Sequence, residues 1–186
     1  MADATHHKPA KSPTIGSLDS STPDALAAQY LSFTLDAEVF GVDIRSVREI
    51  IQYGAMTAVP LMPDFVRGVI NLRGEVVPVI DLHARFGRPP SAIGALTCIV
   101  IFDALLGGER VELGQLVDAV SEVIDIAPSQ TEAPPNFGSA VRCDFILGMG
   151  KVGQRFVILL EPDKAFDVDE MAQLLRGRAR GPAGLT

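Results

Sequence analysis

Residues 65–82 read Phe-Val-Arg-Gly-Val-Ile-Asn-Leu-Arg-Gly-Glu-Val-Val-Pro-Val-Ile-Asp-Leu, and this stretch decides the fold. Two apolar runs rich in β-branched residues, 69–72 and 76–80, flank a polar tip that contains Gly74. Such runs favour strands, and a glycine takes the positive φ that a tight turn requires without strain. The stretch therefore predicts a β-hairpin.

The same pattern returns further along the chain. Residues 145–162 repeat the hairpin at a separation of 80 positions, so that Phe65 matches Phe145 and Gly68 matches Gly148. Upstream, residues 44–51 match residues 117–124 at a separation of 73. Because closing a sheet removes its exposed edges, we expect two similar halves, each a small antiparallel barrel of about five strands.

The two hairpins differ at two positions. The first carries Arg73 at its tip and Pro78 within its second strand, where the repeat has Gly153 and Ile158. Proline cannot donate a ladder hydrogen bond, so Pro78 is expected at an edge or a bulge. These differences mark the first hairpin as the one with a task beyond folding.

Composition limits the class of protein. The chain has 186 residues, is 47% hydrophobic and 21% charged, and carries a net charge of -7. This is material for one domain or two small subdomains, and the negative charge disfavours nucleic acid as a partner. Since no apolar run is long enough to cross a bilayer, we expect a cytoplasmic protein without membrane insertion.

The predicted organisation has three parts. Residues 1–28 are rich in proline, serine and glycine and are expected to form a disordered tail. Residues 29–175 form the folded domain, with subdomains at about 29–90 and 95–175. Short helices are expected after Asp81, as a cap, and from Pro162 as a C-terminal helix. Residues 176–186 are expected to be a flexible tail.

No residue pattern indicates catalysis. His83 is the one histidine in the predicted folded part, has no neighbouring ligand motif, and is expected at the surface or at a helix end. Cys98 and Cys143 lie in apolar segments and are expected to be free, buried thiols. We therefore predict no metal, no cofactor and no enzymatic activity, with a small thiol enzyme using either cysteine as a remote alternative.

A series of motifs in fixed order carries a family resemblance. The members are residues 30–35, 39–44, 47–50, 59–60, 67–74, 77–82, 117–123 and 146–150. Together, and above all through the pattern GVxNLRGxxxPVxDL, they resemble the CheW chemotaxis coupling proteins. The resemblance covers residues 29–175, which is nearly all of the predicted folded chain.

The resemblance implies a fold and a function. The fold would be two intertwined five-stranded β-barrels, mainly β with short helices, and the protein would have no enzymatic activity. Members of the family join methyl-accepting chemoreceptors to the histidine kinase CheA, whose regulatory domain shares the fold. This implies a monomer in isolation that is recruited to membrane-associated receptor arrays. A coupling module of a chemosensory pathway outside taxis is the alternative.

The resemblance also implies site residues. Carried over by position, the receptor-facing residues would be Ile44, Val47, Glu49 and Arg73. The kinase-facing residues would be Met56, Thr57, Val59 and Gly68. Two positions depart from the family pattern: Ile51 stands where arginine is frequent, and Ala119 where glycine is common.

Arg73 allows two interpretations from its chemistry alone. Its guanidinium has five donors and could pin a loop by binding backbone carbonyls or a carboxylate such as Glu49. It could equally be a solvated arginine at a hairpin tip. Likewise, Ile44 and Val47 at helical spacing fit a core as well as an interface.

Overall fold

A computed structural model describes residues 27–106, 109–134 and 145–165, and these residues form two β-sheets with short helical turns. The strands are β1 (Ala28–Leu35), β2 (Glu38–Asp43), β3 (Val47–Gln52), β4 (Val66–Leu72), β5 (Glu75–Asp81), β6 (Cys98–Leu106), β7 (Glu109–Val117), β8 (Ala119–Ile126), β9 (Thr131–Glu132), β10 (Ile146–Val152) and β11 (Arg155–Leu160). The α-helical turns are α1 (Leu82–Arg85) and α2 (Pro162–Ala165), and 3-10 turns occur at Ile44–Ser46 and Pro128–Gln130.

The sheets have matching strand orders. Sheet 1 has six strands in the order β8-β1-β2-β11-β10-β9, and sheet 2 has five in the order β3-β6-β7-β5-β4. In each sheet a hairpin (β10–β11 or β4–β5) joins the rest through one parallel pair, β11 with β2 and β5 with β7. The β9 strand of sheet 1 has its counterpart in Thr57, which forms an isolated bridge with Val69 of β4.

The two halves of the chain exchange a strand. β3 follows β2 of sheet 1 in the sequence but pairs with β6 of sheet 2, and β8 follows β7 of sheet 2 but pairs with β1 of sheet 1. Each sheet therefore contains strands from both halves. The subdomain boundaries at 29–90 and 95–175 stay a prediction.

The repeat extends to the details of the backbone. Both hairpins have a register shift at the same place, between Val66 and Gly68 in one and between Ile146 and Gly148 in the other. The amide of Asp81 donates to the carbonyl of Phe65 at 2.7 Å, and the amide of Glu161 donates to that of Phe145 at 2.9 Å. Equivalent positions thus make equivalent bonds, as expected for a duplicated unit.

Among the residues that the structure describes, the buried apolar side chains form three clusters. The largest lies between the sheets and includes Phe33 and Phe40 of sheet 1 and Val100 and Phe102 of sheet 2. A smaller cluster belongs to each sheet: one around Ile70, Val79 and Ile101 in sheet 2, the other around Tyr30, Ile126 and Leu159 in sheet 1. Each sheet is therefore curled around its own apolar interior, and the two pack on a shared core.

The mainly β class with short helices is confirmed, and one detail differs from the expectation. The strands form two curled sheets of six and five strands rather than two closed five-stranded barrels. The hairpin predicted around Gly74 and the cap at Asp81 are both present. The predicted tails and the rest of the C-terminal helix lie outside the described residues. Within the described part, no helix is long and apolar enough to span a bilayer.

Candidate functional site

An ion pair joins the two edges of sheet 2. The Arg73 Nη2 atom lies 2.9 Å from Glu49 Oε1. Glu49 belongs to β3 at one edge, and Arg73 lies in the turn that follows β4 at the other edge. Strands in a sheet are about 4.8 Å apart, so the contact requires a strongly curled sheet. The carboxylate suggested as a partner for Arg73 is thus its neighbour, and the role of the pair stays a prediction.

Arg73 holds an unusual backbone conformation. Its φ is +53° and that of Gly74 is +93°, so both central residues of the hairpin turn are left-handed. The carboxamide oxygen of Asn71 accepts a bond from the Gly74 amide at 2.9 Å and supports the turn. A left-handed residue with a Cβ costs about 1 kcal/mol or more, and the repeated hairpin has Gly153, φ +61°, at this position. The first hairpin thus tolerates strain to place an arginine here.

The ion pair is accessible to a partner. The Arg73 side chain is 76% exposed and that of Glu49 is 26% exposed. An exposed pair of this kind adds at most about 1 kcal/mol to stability. The stabilisation that the ion pair adds is therefore about as large as the cost of the left-handed φ at Arg73. Because the net gain in stability is small, recognition of a partner is the favoured role for the pair.

Three of the predicted kinase-facing residues lie together at β4: Met56 and Thr57 lie against the strand, and Gly68 belongs to it. Thr57 exchanges two backbone hydrogen bonds with Val69, at 2.9 and 2.8 Å. Gly68 is buried, and a Cβ there would stand 2.5 Å from the Thr57 carbonyl oxygen and 2.9 Å from the Met56 Cγ. The absence of a side chain at Gly68 lets residues 56–57 approach the strand. Val59 is half-buried two residues further on.

Ile44 and Val47 are each partly buried in the core and partly exposed. Both are half-buried and pack against the large cluster between the sheets. Part of each side chain therefore supports the core, and part remains accessible beside Glu49.

An apolar groove runs between β3 of sheet 2 and β8 of sheet 1. It has a volume of about 380 Å³ and is lined by Ile50, Ile51, Gln52, Ala95, Leu96, Cys98, Ala119 and Val120. Ile50 and Leu96 are 43% and 71% exposed. Both positions that depart from the family pattern, Ile51 and Ala119, lie in this groove. Sequence reasoning named them separately and missed that the strand exchange brings them together.

A second groove opens where β5 and β7 diverge. It measures about 450 Å³, and its walls include Pro78, Leu113, Arg48 and Glu112. In sheet 1 the parallel ladder begins at Ile158 paired with Phe40, whereas in sheet 2 it begins one step later, at Val79 paired with Gly114. Pro78 has no N–H to donate, so the ladder stops short there and the strands part.

Sequence reasoning missed Leu61. This leucine is 86% exposed and has a φ of +66°, which is uncommon for a residue with a Cβ. It follows the Val59-Pro60 dipeptide and lies near the predicted kinase-facing segment in sequence. Because side-chain exposure and a left-handed φ leave no signal in the local pattern, only the structure identifies it.

The thiol environment differs from the expectation for Cys98. Its side chain is half-buried rather than buried, lies in the groove between β3 and β8, and its Sγ is 3.3 Å from the Leu96 carbonyl oxygen. The sequence-based expectation overestimated the burial of the Cys98 side chain, because β6 begins at this residue, at the rim of the sheet. Cys143 lies outside the described residues.

The turn before β3 is stabilised by charge. Asp43 accepts bonds from the Arg45 amide at 2.9 Å and from the Arg45 Nε at 3.0 Å. The side-chain bonds from Arg45 lower the pKa of Asp43, while burial opposes them. Burial, with a smaller effect from Asp43, raises the pKa of the neighbouring Tyr30. An ionised Asp43 therefore stabilises the 3-10 turn, Ile44–Ser46, which connects β2 to β3 and thus leads to Glu49.

The fold and these surfaces define a β-rich protein that presents an exposed ion pair and two grooves, as protein-binding modules do. The family model described as a CheW-like domain matches residues 29–170. The chain is 34% identical to chemotaxis protein CheW of Klebsiella aerogenes over 149 residues, 80% of this chain and 87% of that protein. It is 28% identical to protein FrzA of Myxococcus xanthus, over 68% of this chain and 81% of that protein.

A solved structure agrees with the sequence comparison. Scaffolding protein TtCheW from Thermoanaerobacter tengcongensis superposes with a TM-score of 0.67 at 33% identity, covering 76% of this chain and 88% of that one. The chain therefore belongs to the CheW family.

Proposed function

We propose that this protein is a non-catalytic adaptor that couples methyl-accepting chemoreceptors to the histidine kinase CheA in chemotaxis. Membership of the CheW family supports the proposal, as does the similarity to a structure described as a scaffolding protein. The adaptor works in the cytoplasm, is a monomer on its own, and is recruited to membrane-associated receptor arrays. It needs no cofactor for this task.

The receptor-facing surface is the ion pair and the groove beside it. Ile44, Val47, Glu49 and Arg73 would supply its charged and apolar contacts, and Ile50, which follows Glu49 in β3, and Leu96 expose apolar surface in the groove. An amphipathic helix of the receptor would bind such a groove through apolar residues spaced at three and four positions. Ile51 and Ala119 adapt this groove to its own receptors.

The kinase-facing surface is the segment beside β4. Met56 and Thr57 are held against β4 by the bridge to Val69 and the close approach at Gly68. Val59 and the exposed Leu61 continue this surface. β4 is the last strand of sheet 2, and Thr57 already pairs with its open side at Val69. A partner such as the regulatory domain of CheA would therefore bind the side chains of this segment rather than extend the sheet at Val69.

The observation that carries the proposal is the arginine held in a left-handed turn and paired with Glu49. Titration of the full chain with a soluble receptor fragment should show binding that Arg73→Ala and Glu49→Ala each weaken about tenfold, because one desolvated charge contact contributes about 1.4 kcal/mol. Binding to the CheA regulatory domain should persist in both variants.

Arg155 provides a matched control for this experiment. It is an exposed arginine next to the tip of the repeated hairpin, in β11. Arg155→Ala should leave both affinities unchanged. Wild-type affinity for the receptor fragment in Arg73→Ala and Glu49→Ala, with Tm values also unchanged, would reject the site; a wild-type chain that binds neither partner would reject the function.

The second candidate function is that of a coupling module in a chemosensory pathway outside taxis. The similarity to protein FrzA is the observation that supports this alternative. Both candidates use the same surfaces and differ in the receptor and kinase served. Affinity purification from the native cell, followed by identification of the bound kinase and receptor, distinguishes them.

A further inference from the structure

A histidine and two aspartates meet where the two sheets exchange strands. The His83 Nδ1 atom lies 3.4 Å from Asp36 Oδ2, and its Nε2 lies 3.7 Å from Asp118 Oδ2. The amide of Asp36 donates to Asp118 Oδ2 at 2.6 Å. One ligand atom from each of the three side chains lies within 4.8 Å of the others. The cluster thus joins α1, the β1–β2 turn and the residue between β7 and β8.

The imidazole is buried and incompletely bonded. His83 is 5% exposed and lies in the short helix α1, so of the two expected positions the helix end is correct and the surface is wrong. Among the described residues, its Nε2 atom is buried without a hydrogen-bond partner. Leaving a buried polar atom unpaired costs about 1 to 3 kcal/mol, so this atom marks a position where a ligand would replace a missing bond.

We propose that Asp36, His83 and Asp118 bind a divalent transition metal of the Zn²⁺ class. Two ligands of tetrahedral zinc, with bonds of about 2.1 Å, lie about 3.4 Å apart. One imidazole gives a single nitrogen to an ion, and each nitrogen of His83 is near that distance from one carboxylate, Nδ1 from Asp36 at 3.4 Å and Nε2 from Asp118 at 3.7 Å. A mixed imidazole and carboxylate set suits zinc, whereas Ca²⁺ and Mg²⁺ prefer oxygen ligands alone. Water completes the coordination at the exposed side of Asp36.

Arg88 is the competitor for this site. Its Nη1 lies 3.3 Å from Asp36 Oδ2, and its Nη2 lies 3.3 Å from Glu38 Oε2. The Arg88 side chain is 43% exposed, so it can move into solvent when a cation occupies the cluster. The metal and Arg88 therefore compete for the Asp36 carboxylate.

The position of the cluster gives the metal a defined effect. Asp36 belongs to sheet 1 through the β1–β2 turn, His83 follows β5 of sheet 2, and Asp118 lies at the crossing from β7 to β8. A bound ion cross-links these three segments and stabilises the native state by mass action. At a free metal concentration one hundred times Kd, Tm should rise by about 5 to 11 °C.

The test is a titration of the full-length protein with ZnCl₂ alone, followed by calorimetry and by Tm. His6 and His7 in the N-terminal segment are adjacent imidazoles and would bind zinc themselves, so every variant carries His6→Ala and His7→Ala. In this background we expect saturable one-to-one binding. His83→Gln and Asp118→Asn should each weaken it at least tenfold, and Asp36→Asn should also weaken it.

Arg88→Ala and a cobalt spectrum complete the experiment. Arg88→Ala removes the competing guanidinium and should increase the affinity for zinc. If the Arg88 ion pairs were purely structural, their loss would not increase that affinity. Bound Co²⁺ should show d–d bands without a thiolate charge-transfer band, which excludes Cys98 and Cys143 as ligands. Metal-free Tm values show whether each variant is folded.

Two results would overturn the proposal. One is the absence of saturable zinc binding in the His6→Ala, His7→Ala background. The other is binding that His83→Gln and Asp118→Asn leave unchanged while both variants remain folded, since the ion would then lie elsewhere.

Discussion

Gly68 lies so close to Thr57 that a Cβ at position 68 would stand 2.5 Å from the Thr57 carbonyl oxygen. This contact lets the segment of residues 56–59 pair with β4 through the two bonds between Thr57 and Val69. The φ of Gly68 is +153°, which residues with a Cβ rarely adopt. Overlap and strain together predict that Gly68→Ala lowers the free energy of unfolding by about 2 to 4 kcal/mol.

Urea denaturation measures this change, and two other glycines test its cause. Gly148→Ala in the repeated hairpin should also be destabilising, but by less, because a Cβ there would stand 2.9 Å from the Glu132 carbonyl oxygen and the φ of Gly148 adds no strain. Gly54→Ala should have little effect, since its nearest atom lies at 3.9 Å. Equal stability of Gly68→Ala and Gly54→Ala would contradict the packing described for Met56 and Thr57.

Pro78→Ile should lengthen the ladder between β5 and β7. The new amide occupies the position of Ile158, whose strand pairs one step further, with Phe40. Hydrogen exchange should show a protected amide at position 78, and the groove beside Leu113 should narrow. Ile158→Pro is the converse variant and should increase exchange at the start of β11. A residue 78 amide that exchanges as fast as an unfolded one would show that the strands diverge for another reason.

Gln115 is 1% exposed, and among the described residues both polar atoms of its side chain lack a hydrogen-bond partner. Methionine has a similar shape and no amide to desolvate, so Gln115→Met should raise the free energy of unfolding by about 1 kcal/mol or more. As a control, Gln130→Met should be destabilising, since Gln130 Oε1 accepts a bond from the Ala127 amide at 3.0 Å. A lower stability of Gln115→Met in urea denaturation would indicate an unseen partner for the Gln115 amide.

The Asp43–Arg45 pair predicts a dependence on pH. Hydrogen bonds from Arg45 hold the pKa of Asp43 below its usual value, so the unfolded chain takes up the proton more readily than the folded one. The stabilisation is therefore present above about pH 4, the unfolded pKa, and is lost as the pH falls through the lower folded value. The stability difference between wild type and Asp43→Asn should shrink between pH 7 and pH 2. Arg45→Ala should remove the same pH dependence, and a difference that is constant across this range would contradict the assignment.

Local patterns predicted much of the fold. The central hairpin, the cap at Asp81 and the repeat at a separation of 80 positions depend on neighbouring residues, so the sequence alone indicates them. The exchange of β3 and β8 between the sheets depends on long-range pairing. Nothing within either strand shows which sheet it joins, so the intertwining was indicated by the family resemblance and not by the strands themselves. Closed barrels were expected because closure removes exposed edges.

The same limit applies to the candidate sites. Glu49 and Arg73 were suggested as a pair from charge chemistry, and the curl of sheet 2 brings them together. The burial of His83 was not predicted, because the segments that carry Asp36 and Asp118 are distant in sequence and meet it only in the fold. The left-handed φ of Arg73 was missed because Gly74 alone satisfied the turn signal.

Receptor binding by Arg73→Asn tests the central claim most directly. Asparagine tolerates a left-handed φ, and Asn-Gly is a favoured pair for this type of turn, so the variant should unfold at or above the wild-type Tm. It cannot form the ion pair with Glu49. We predict that Arg73→Asn binds a soluble chemoreceptor fragment at least about tenfold more weakly than the wild type and binds the CheA regulatory domain with unchanged affinity. Wild-type receptor affinity in this stable variant would contradict the claim that Arg73 is held in its turn for recognition.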